Sequence, residues 1–380
     1  MDHLHTLRGR LAQASAMLAL IGCVGLPSTS SADHAARQSP PSRDTTRFAA
    51  VTAGKSPVFP RDYGAHPDFR TEWWYVTGWL ETPERKPLGF QITFFRSATA
   101  HDRRNPSRFA PRELIIAHAA VSDPALGRLQ HDQKIARTGF GLAFAAEADT
   151  DLKLGKWTLR RGANGDYAIS VPARDFVLNL SLSPTQRMML QGQSGYSRKG
   201  PQPEQASYYY SQPQLQASGT LIRAGKAVAV SGSAWLDHEW SSTVLDPHAV
   251  GWDWTGINLD DGGALMAFRI RRADGSTLWQ HGALRDARGK VRQFRGNQLR
   301  FTPLRQWRSP RTGASYPVAL HIDIGGTPWQ LVPLQDDQEL DSRTSTGAVY
   351  WEGAVSVQRD GQPVGRGYLE LTGYLKALKL

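Results

Sequence analysis

From Pro57 onward the chain alternates apolar and polar positions in short runs, among them EWWYVTGWLE, LGFQITFFR, KWTLRR, DYAISVP, FVLNLSLS, GALMAFRIRR and PVALHIDIG. Glycine, asparagine, aspartate or proline separates one run from the next. A period of two, carried by β-branched and aromatic residues, fits strands that bury one face, because successive side chains point to opposite sides of a sheet. The pattern predicts an all-β, antiparallel protein with little helix, closed as sandwich or barrel.

Part of the pattern occurs twice. WYVTGWLETPERKPLGFQITFF (74–95) is similar to WDWTGINLDDGGALMAFR (252–269), and SGTLIRAGKAVAVSGSAWLDHEW (218–240) to EGAVSVQRDGQPVGRGYLELTGY (352–374). Two matches in the same order predict two related barrels in tandem, at 57–243 and 249–380. The repeat also acts as an internal control. It sets Trp74 against Trp252, Tyr75 against Asp253 and Glu72 against Val250. It sets Trp235-Leu236-Asp237 against Tyr368-Leu369-Glu370, which places Leu371 and Thr372 where His238 and Glu239 stand. Aromatics that recur (Trp74, Trp252, Trp235, Tyr368) read as core. His238, Glu239, Asp253 and Glu72 are not demanded by the repeated fold and become the candidate functional residues. Alternation puts Leu236, His238 and Trp240 on one face, expected to be interior, and Asp237 and Glu239 on the other. Two roles stay open for the candidates: contact with a ligand as acids and bases of shifted pKa, or a polar tie between the halves, for instance His238 hydrogen-bonded to Asp253.

Composition changes the picture mainly at the N-terminus. The chain has 380 residues, 40% apolar, and a formal charge of +11. Such a charge permits contact with anionic surfaces. The basic residues are scattered, however, and the densest cluster, HDRRNPSR at 101–108, lies among turn formers, so no nucleic-acid partner is expected. Arg8 and Arg10 precede an apolar run from Leu11 to Gly22, too short for a stable span but right for an export signal. The run ends in LIGC (20–23), similar to the lipobox of bacterial lipoproteins, with the chain's single cysteine, Cys23, at the acylated position. Residues 1–23 are therefore expected to be a lipoprotein-type signal, and residues 24–56, rich in Ser, Thr, Pro and Ala, a flexible tether. Cleavage after Ala32, giving a soluble periplasmic or secreted protein, and an incidental cysteine are the other readings. No GxSxG, HExxH, CxxC or glycine-rich phosphate loop is present, and His118, His248, His281 and His321 lack metal-ligand spacing, so neither metal nor cofactor is expected.

TEWWYVTGWL, YYYSQPQLQASGTL, SGSAWLDHEWSS and GWDWTGINLDDGGALMAFRIRR together resemble the carotenoid hydratase and AttH-like family. The resemblance implies two tandem lipocalin-like, calycin-type antiparallel β-barrels over about 57–380. It also implies a large apolar ligand, whether isoprenoid, carotenoid or acyl. The activity implied is hydration or hydrolysis, or, as the AttH label suggests, non-catalytic carriage in service of an ABC-type exporter. If hydration is the chemistry, Asp253 would protonate an alkene beside Trp252 or Trp254, whose π-faces stabilise a cation, and His238 or Glu239 would orient water. Glu72 joins them as a further candidate catalytic acid, and Trp73, Trp74, Tyr75, Trp240, Trp252 and Trp254 are expected to line the ligand. The leader adds the periplasmic side of the cell envelope as the expected location, with a lipid anchor in the membrane.

Overall fold

The computed structural model describes residues 48–99, 101, 105–243 and 245–378. The leader with Cys23, and residues 24–47 of the tether, lie outside the described residues. Among those described, the only helical structure is three single-turn 3-10 segments, and the rest is strand and turn. The all-β expectation holds.

The strands form two antiparallel sheets, one of thirteen strands between Thr71 and Thr243 and one of ten between Gly251 and Leu371, among the described residues. Both follow one plan. In the first sheet, Thr71–Glu81 lies between Pro87–Ala98, which follows it, and Lys226–Thr243, the last strand. In the second, Gly251–Leu259 lies between Ala264–Arg271 and the last strand, Gln362–Leu371. Each sheet is thus largely a meander whose first and last strands pair; the path breaks between the fourth and fifth strands, and the short strands Met189–Leu190, Tyr196–Arg198 and Glu339–Ser342 pair off it.

Among the described residues four apolar clusters result, three of them large and one a small group of Ala120, Leu129, Leu340 and Tyr350. One fills the first sheet around Phe90, Ile92, Trp157 and Leu180. A second fills the other around Ile257, Leu320, Trp351 and Leu369. The third lies between the sheets and joins Tyr75, Trp79, Tyr209 and Trp235 to Trp254, Met266 and Tyr368. Trp79 anchors it, donating Nε1–H to the Gly367 carbonyl at 2.9 Å.

The strand pairing corrects the repeat in one respect. Tyr75 lies opposite Asp237, and Trp254 lies opposite Glu370. With Asp237 matched to Glu370, the structural counterpart of Tyr75 is therefore Trp254, and that of Trp74 is Asp253. The shared Thr-Gly had set Trp74 on Trp252, one residue out of step. Because side chains alternate, a slip of one residue exchanges the faces. Trp74 accordingly belongs to the first interior core, while Trp252 packs between the sheets.

Gly89 marks a close approach of the two sheets. A Cβ there would lie 2.5 Å from the Ala354 Cβ and 2.9 Å from the Tyr368 hydroxyl. Gly89→Ala is expected to cost about 1–3 kcal/mol of stability through overpacking. Chemical denaturation measures it, and an unchanged midpoint would show that the sheets are free to part at this point.

Candidate functional site

Strand alternation sends the candidate residues to three separate places. The first is the interior of the thirteen-stranded sheet. Glu72 enters at the start of its strand, opposite Trp240 on one side and Arg96 on the other. It is fully buried, and every part of its carboxylate is engaged. Oε1 accepts from His66 Nδ1 at 2.7 Å and His238 Nε2 at 2.8 Å. Oε2 accepts from Arg96 Nε at 2.9 Å and the His66 backbone N–H at 2.8 Å. Arg96 spends its other nitrogens on Glu113 and on the carbonyls of His66 and Phe69. His66 reaches Asp62 at 3.1 Å through Nε2, and His238 pairs with the Tyr210 hydroxyl at 3.1 Å through Nδ1. Two indoles clamp the imidazoles: Trp240 stacks on His66 with centroids 3.8 Å apart, and Trp74 on His238 at 4.5 Å.

Burial disfavours every charge in this cluster, but the hydrogen bonds from His238 and His66, with the charge of His66, outweigh it for Glu72, whose carboxyl is held far below the usual range. His66 goes the same way. Burial opposes its charge, yet the bonds to Asp62 and Glu72 raise its pKa. For His238 burial dominates and pushes the pKa down, which leaves a neutral ring that donates to Glu72 and accepts from Tyr210. The donor atoms of His66, Glu72 and His238 lie within 4.8 Å of one another, a set that a divalent cation could use. Here all three are satisfied by one another and by Arg96.

Asp253 occupies the second place. It is buried inside the other barrel, opposite Leu371, and accepts from Arg269 Nε at 2.6 Å, Arg271 Nε at 2.9 Å and the Tyr374 hydroxyl at 2.9 Å. The expected bond from His238 to Asp253 does not exist, because the two residues serve different barrel interiors. Nor does Asp253 face the tryptophans that flank it, which point the opposite way.

The third place is a cleft between the sheets, with a cavity of about 110 Å³. Trp73, Tyr75, Phe95, Trp252, Trp254 and Phe268 give it aromatic walls. Asp237, Glu239, Glu370 and Lys199 supply its polar groups. Asp237 accepts from Tyr209 Oη at 2.6 Å, Ser211 Oγ at 2.5 Å and Trp235 Nε1 at 2.7 Å, and Trp254 Nε1 donates to the same Tyr209 hydroxyl at 3.1 Å. Burial nevertheless prevails over those three bonds and, with the charge of Glu239, lifts Asp237 to about 7. Glu239 is paired with Lys199 at 2.9 Å and bonded by Ser207. Glu370 accepts from Trp252 Nε1 at 2.8 Å. Burial, joined by the charges of Asp237 and Glu239, raises it to about 7 as well. Directly across the strand pair stands Glu352, buried, with neither oxygen in a close hydrogen bond and the hydroxyls of Tyr75 and Tyr350 beside it. Burial and Glu370 push its pKa far up. Two buried carboxyls so placed disfavour each other's ionisation, and Glu352 keeps its proton.

Of the sequence candidates, Glu239, Trp73, Tyr75, Trp252 and Trp254 therefore meet at the cleft. Glu72, His238, Trp74 and Trp240 meet inside the first barrel, and Asp253 stands apart. Asp237, Glu352, Glu370 and Lys199 were not among the candidates. For two of them the signal was present, since an acid recurs in the aromatic-Leu-acid element of both halves, at Asp237 and Glu370.

The family model described as AttH-like matches residues 50–374, so the chain belongs to the AttH-like family. Among solved structures it is similar to an AttH candidate from Nitrosomonas europaea, with 60% identity over 87% of this chain and 100% of that one, and a TM-score of 0.83. It shares its fold with kievitone hydratase from Nectria haematococca, at 14% identity over 87% and 97% of the two chains and a TM-score of 0.66. It also shares it with CghA bound to Sch210972, at 12% identity over 87% and 96%, with a TM-score of 0.54. No curated protein matches by sequence.

Two substitutions separate the clusters. Arg96→Met strands Glu72 as an unpaired buried charge and is expected to cost about 3–5 kcal/mol in denaturant unfolding. An effect near zero would mean that His66 and His238 alone hold the carboxylate. Glu370→Gln is expected to act in the opposite sense and only at high pH. The folded pKa of about 7 lies above the ordinary value of 4.5, so the wild-type side chain favours folding in acid and loses that contribution as pH rises through 7. The variant should match wild type in melting temperature at pH about 5 and exceed it at pH about 8. Equal curves at both pH values would refute the raised pKa.

Proposed function

We propose that this member of the AttH-like family hydrates a carbon–carbon double bond in an apolar, isoprenoid or acyl ligand held in the cleft between its barrels. One observation carries the reading: the acids that line the aromatic cavity, Glu370 and Asp237, sit near neutrality and face no arginine. A carboxylic acid kept protonated at pH 7 by its surroundings is what protonation of an unactivated alkene requires. Glu370 donates its own proton, and Glu352 across the strand pair, kept neutral by burial and by the charge of Glu370, keeps a separate one. The cation that forms lies against Trp252, Trp254 and Trp73, whose faces stabilise positive charge. Asp237, fixed by Tyr209, Ser211 and Trp235, orients a water and takes its proton as the C–O bond forms. Alkene and water give the alcohol, and one proton has passed from Glu370 to Asp237.

Size narrows the ligand. A cavity of about 110 Å³ is smaller than the ~150 Å³ void that accepts benzene in an engineered core. The cleft takes a short branched segment, the reacting end of the ligand. The fold neighbour named for kievitone hydration is a protein of the same architecture whose name states a hydratase activity. The envelope location, with a lipid on Cys23, belongs to the same proposal.

Incubation of the protein with acyclic isoprenoid alkenes and unsaturated fatty acids in heavy-oxygen water tests the reaction. The expected result is incorporation of one heavy oxygen, with turnover that falls as pH rises through about 7 and is lost in Glu370→Gln while the ligand is still bound. Binding without incorporation at any pH would overturn hydration and favour the carrier serving an ABC-type export system. For the anchor, the N-terminal peptide isolated from membranes should begin at Cys23 and carry added acyl mass. A peptide beginning at Asp33 would refute it.

A further inference from the structure

Beside the cleft is a second cavity of about 300 Å³. Phe268 and Lys199 place the two side by side. Both line the cleft, the Lys199 ammonium lies 4.2 Å from the Phe268 ring centroid, and Phe268 stands directly across the strand pair from His281. Beyond it the second cavity is bordered by Arg198, His281 and Arg295 together with Trp279, Tyr196 and Gln193. No carboxylate is among the residues lining it.

Its chemistry is unlike that of the other buried polar sites. Glu72 with Arg96 and Asp253 with Arg271 are matched charges, whereas the cations of this cavity face no carboxylate in its lining, and Arg198 donates only through Nη2, to the Gly200 and Pro201 carbonyls. The Arg198 guanidinium stacks on Trp279 at 4.5 Å, which fixes its plane, and its Nε has no hydrogen-bond partner. His281 is 95% buried, yet neither ring nitrogen has a close partner, and the Oε1 of neighbouring Gln293 has none either. Arg295 faces His281 directly across the next strand pair. A buried imidazole with two unused nitrogens has lost its hydration without replacement, a cost that a ligand can relieve. The empty ring is held neutral, burial and the charges of Lys199 and Arg295 pushing its pKa down to about 4.

We propose that Arg198, His281 and Arg295 form an oxyanion subsite that binds the phosphate or carboxylate head of the ligand whose unsaturated end enters the cleft. The placement rests on the hydratase reading for the identity of the cleft and on nothing else in it. Guanidinium groups match the planar, multidentate geometry of phosphate and carboxylate, and an arriving anion would supply the charge that His281 needs in order to become a donor at both nitrogens. The Phe268 and His281 ring centroids lie 5.9 Å apart, so head and reacting carbons are separated by only a few bonds. The substrate class is then a short, unsaturated amphiphile with an anionic head, with Lys199 placed between its two ends.

Calorimetric titration of the full chain with geranyl phosphate, geranic acid, geraniol and inorganic phosphate tests the subsite. Geranyl phosphate or geranic acid is expected to bind about tenfold or more tightly than geraniol, and whichever anion binds better names the head. The preference should shrink to within about threefold in Arg198→Gln. It should shrink likewise in Arg295→Gln, an exposed position whose replacement leaves the fold intact if Arg198→Gln does not fold. Geraniol binding should be unchanged in both. Equal affinities for the three isoprenoids, or a preference that survives both substitutions, would overturn the proposal. Inorganic phosphate separates this failure from that of the hydratase reading. If phosphate binds in wild type and loses affinity in Arg295→Gln while no isoprenoid binds, the oxyanion site stands and its link to the cleft falls.

Discussion

In each barrel the first strand pairs with the last, and those four strands supply much of the contact between the barrels. Thr71–Glu81 pairs with Lys226–Thr243, and Gly251–Leu259 with Gln362–Leu371, across more than a hundred residues of chain in each case. Their outward faces supply Tyr75, Trp79, Trp235, Trp254 and Tyr368 to the central core. Strand alternation then fixes the rest. A single strand, reading Asp237, His238, Glu239, Trp240, delivers His238 and Trp240 to a barrel interior and Asp237 and Glu239 to the cleft. The seam that closes the fold and the wall of the cavity are the same backbone, so a change that loosens one disturbs the other.

The buried acids of the two regions have opposite fates for one physical reason, the supply of positive charge. In the first barrel Arg96, with four hydrogen bonds, and two imidazoles surround Glu72, and the desolvation penalty is overcome. In the cleft the one cation, Lys199, is committed to Glu239. Asp237, Glu352 and Glu370 have hydroxyl and indole donors only, which lower a pKa less than burial raises it. The first arrangement makes a lock. The second makes acids that hold protons at neutral pH, at a cost in stability that a packed apolar pair would not incur.

How far this could be read in advance follows from the same alternation. The strands were legible because each buries one face, and the Trp-rich blocks carried the family. Charge pairing was not legible, since Arg96, Arg269 and Arg271 come from neighbouring strands whose register a sequence does not state. A one-residue error in matching Thr77-Gly78 to Thr255-Gly256 was enough to set Trp74 on Trp252 and to place Asp253 on the wrong side of its strand. Difference between the halves points to His238 and Glu239, whereas the acids of the cleft, Asp237 and Glu370, recur in both halves and so do not stand out by difference. Glu352 and Lys199 gave no signal, one lying at the start of an apolar strand and the other beside a turn.

The duplication, aligned by its strand pairing, explains how two equivalent acids come to differ. Ser211 lies opposite Asp237, and Glu352 opposite Glu370, at corresponding positions of the two sheets. Tyr209 and Tyr350 correspond in the same way, two residues earlier. At one place, therefore, the first half offers its acid a hydroxyl donor and the second half offers a competing carboxyl. Ser211, with Tyr209 and Trp235, orders Asp237 as an acceptor with its lone pairs engaged and its orientation fixed. Glu352 instead offers Glu370 no donor and is itself pushed toward the neutral form by burial and by Glu370. A symmetrical pair of acids facing one cavity would have no reason to divide acid from base. A single position, serine in one half and glutamate in the other, breaks that symmetry and assigns the proton to the second barrel.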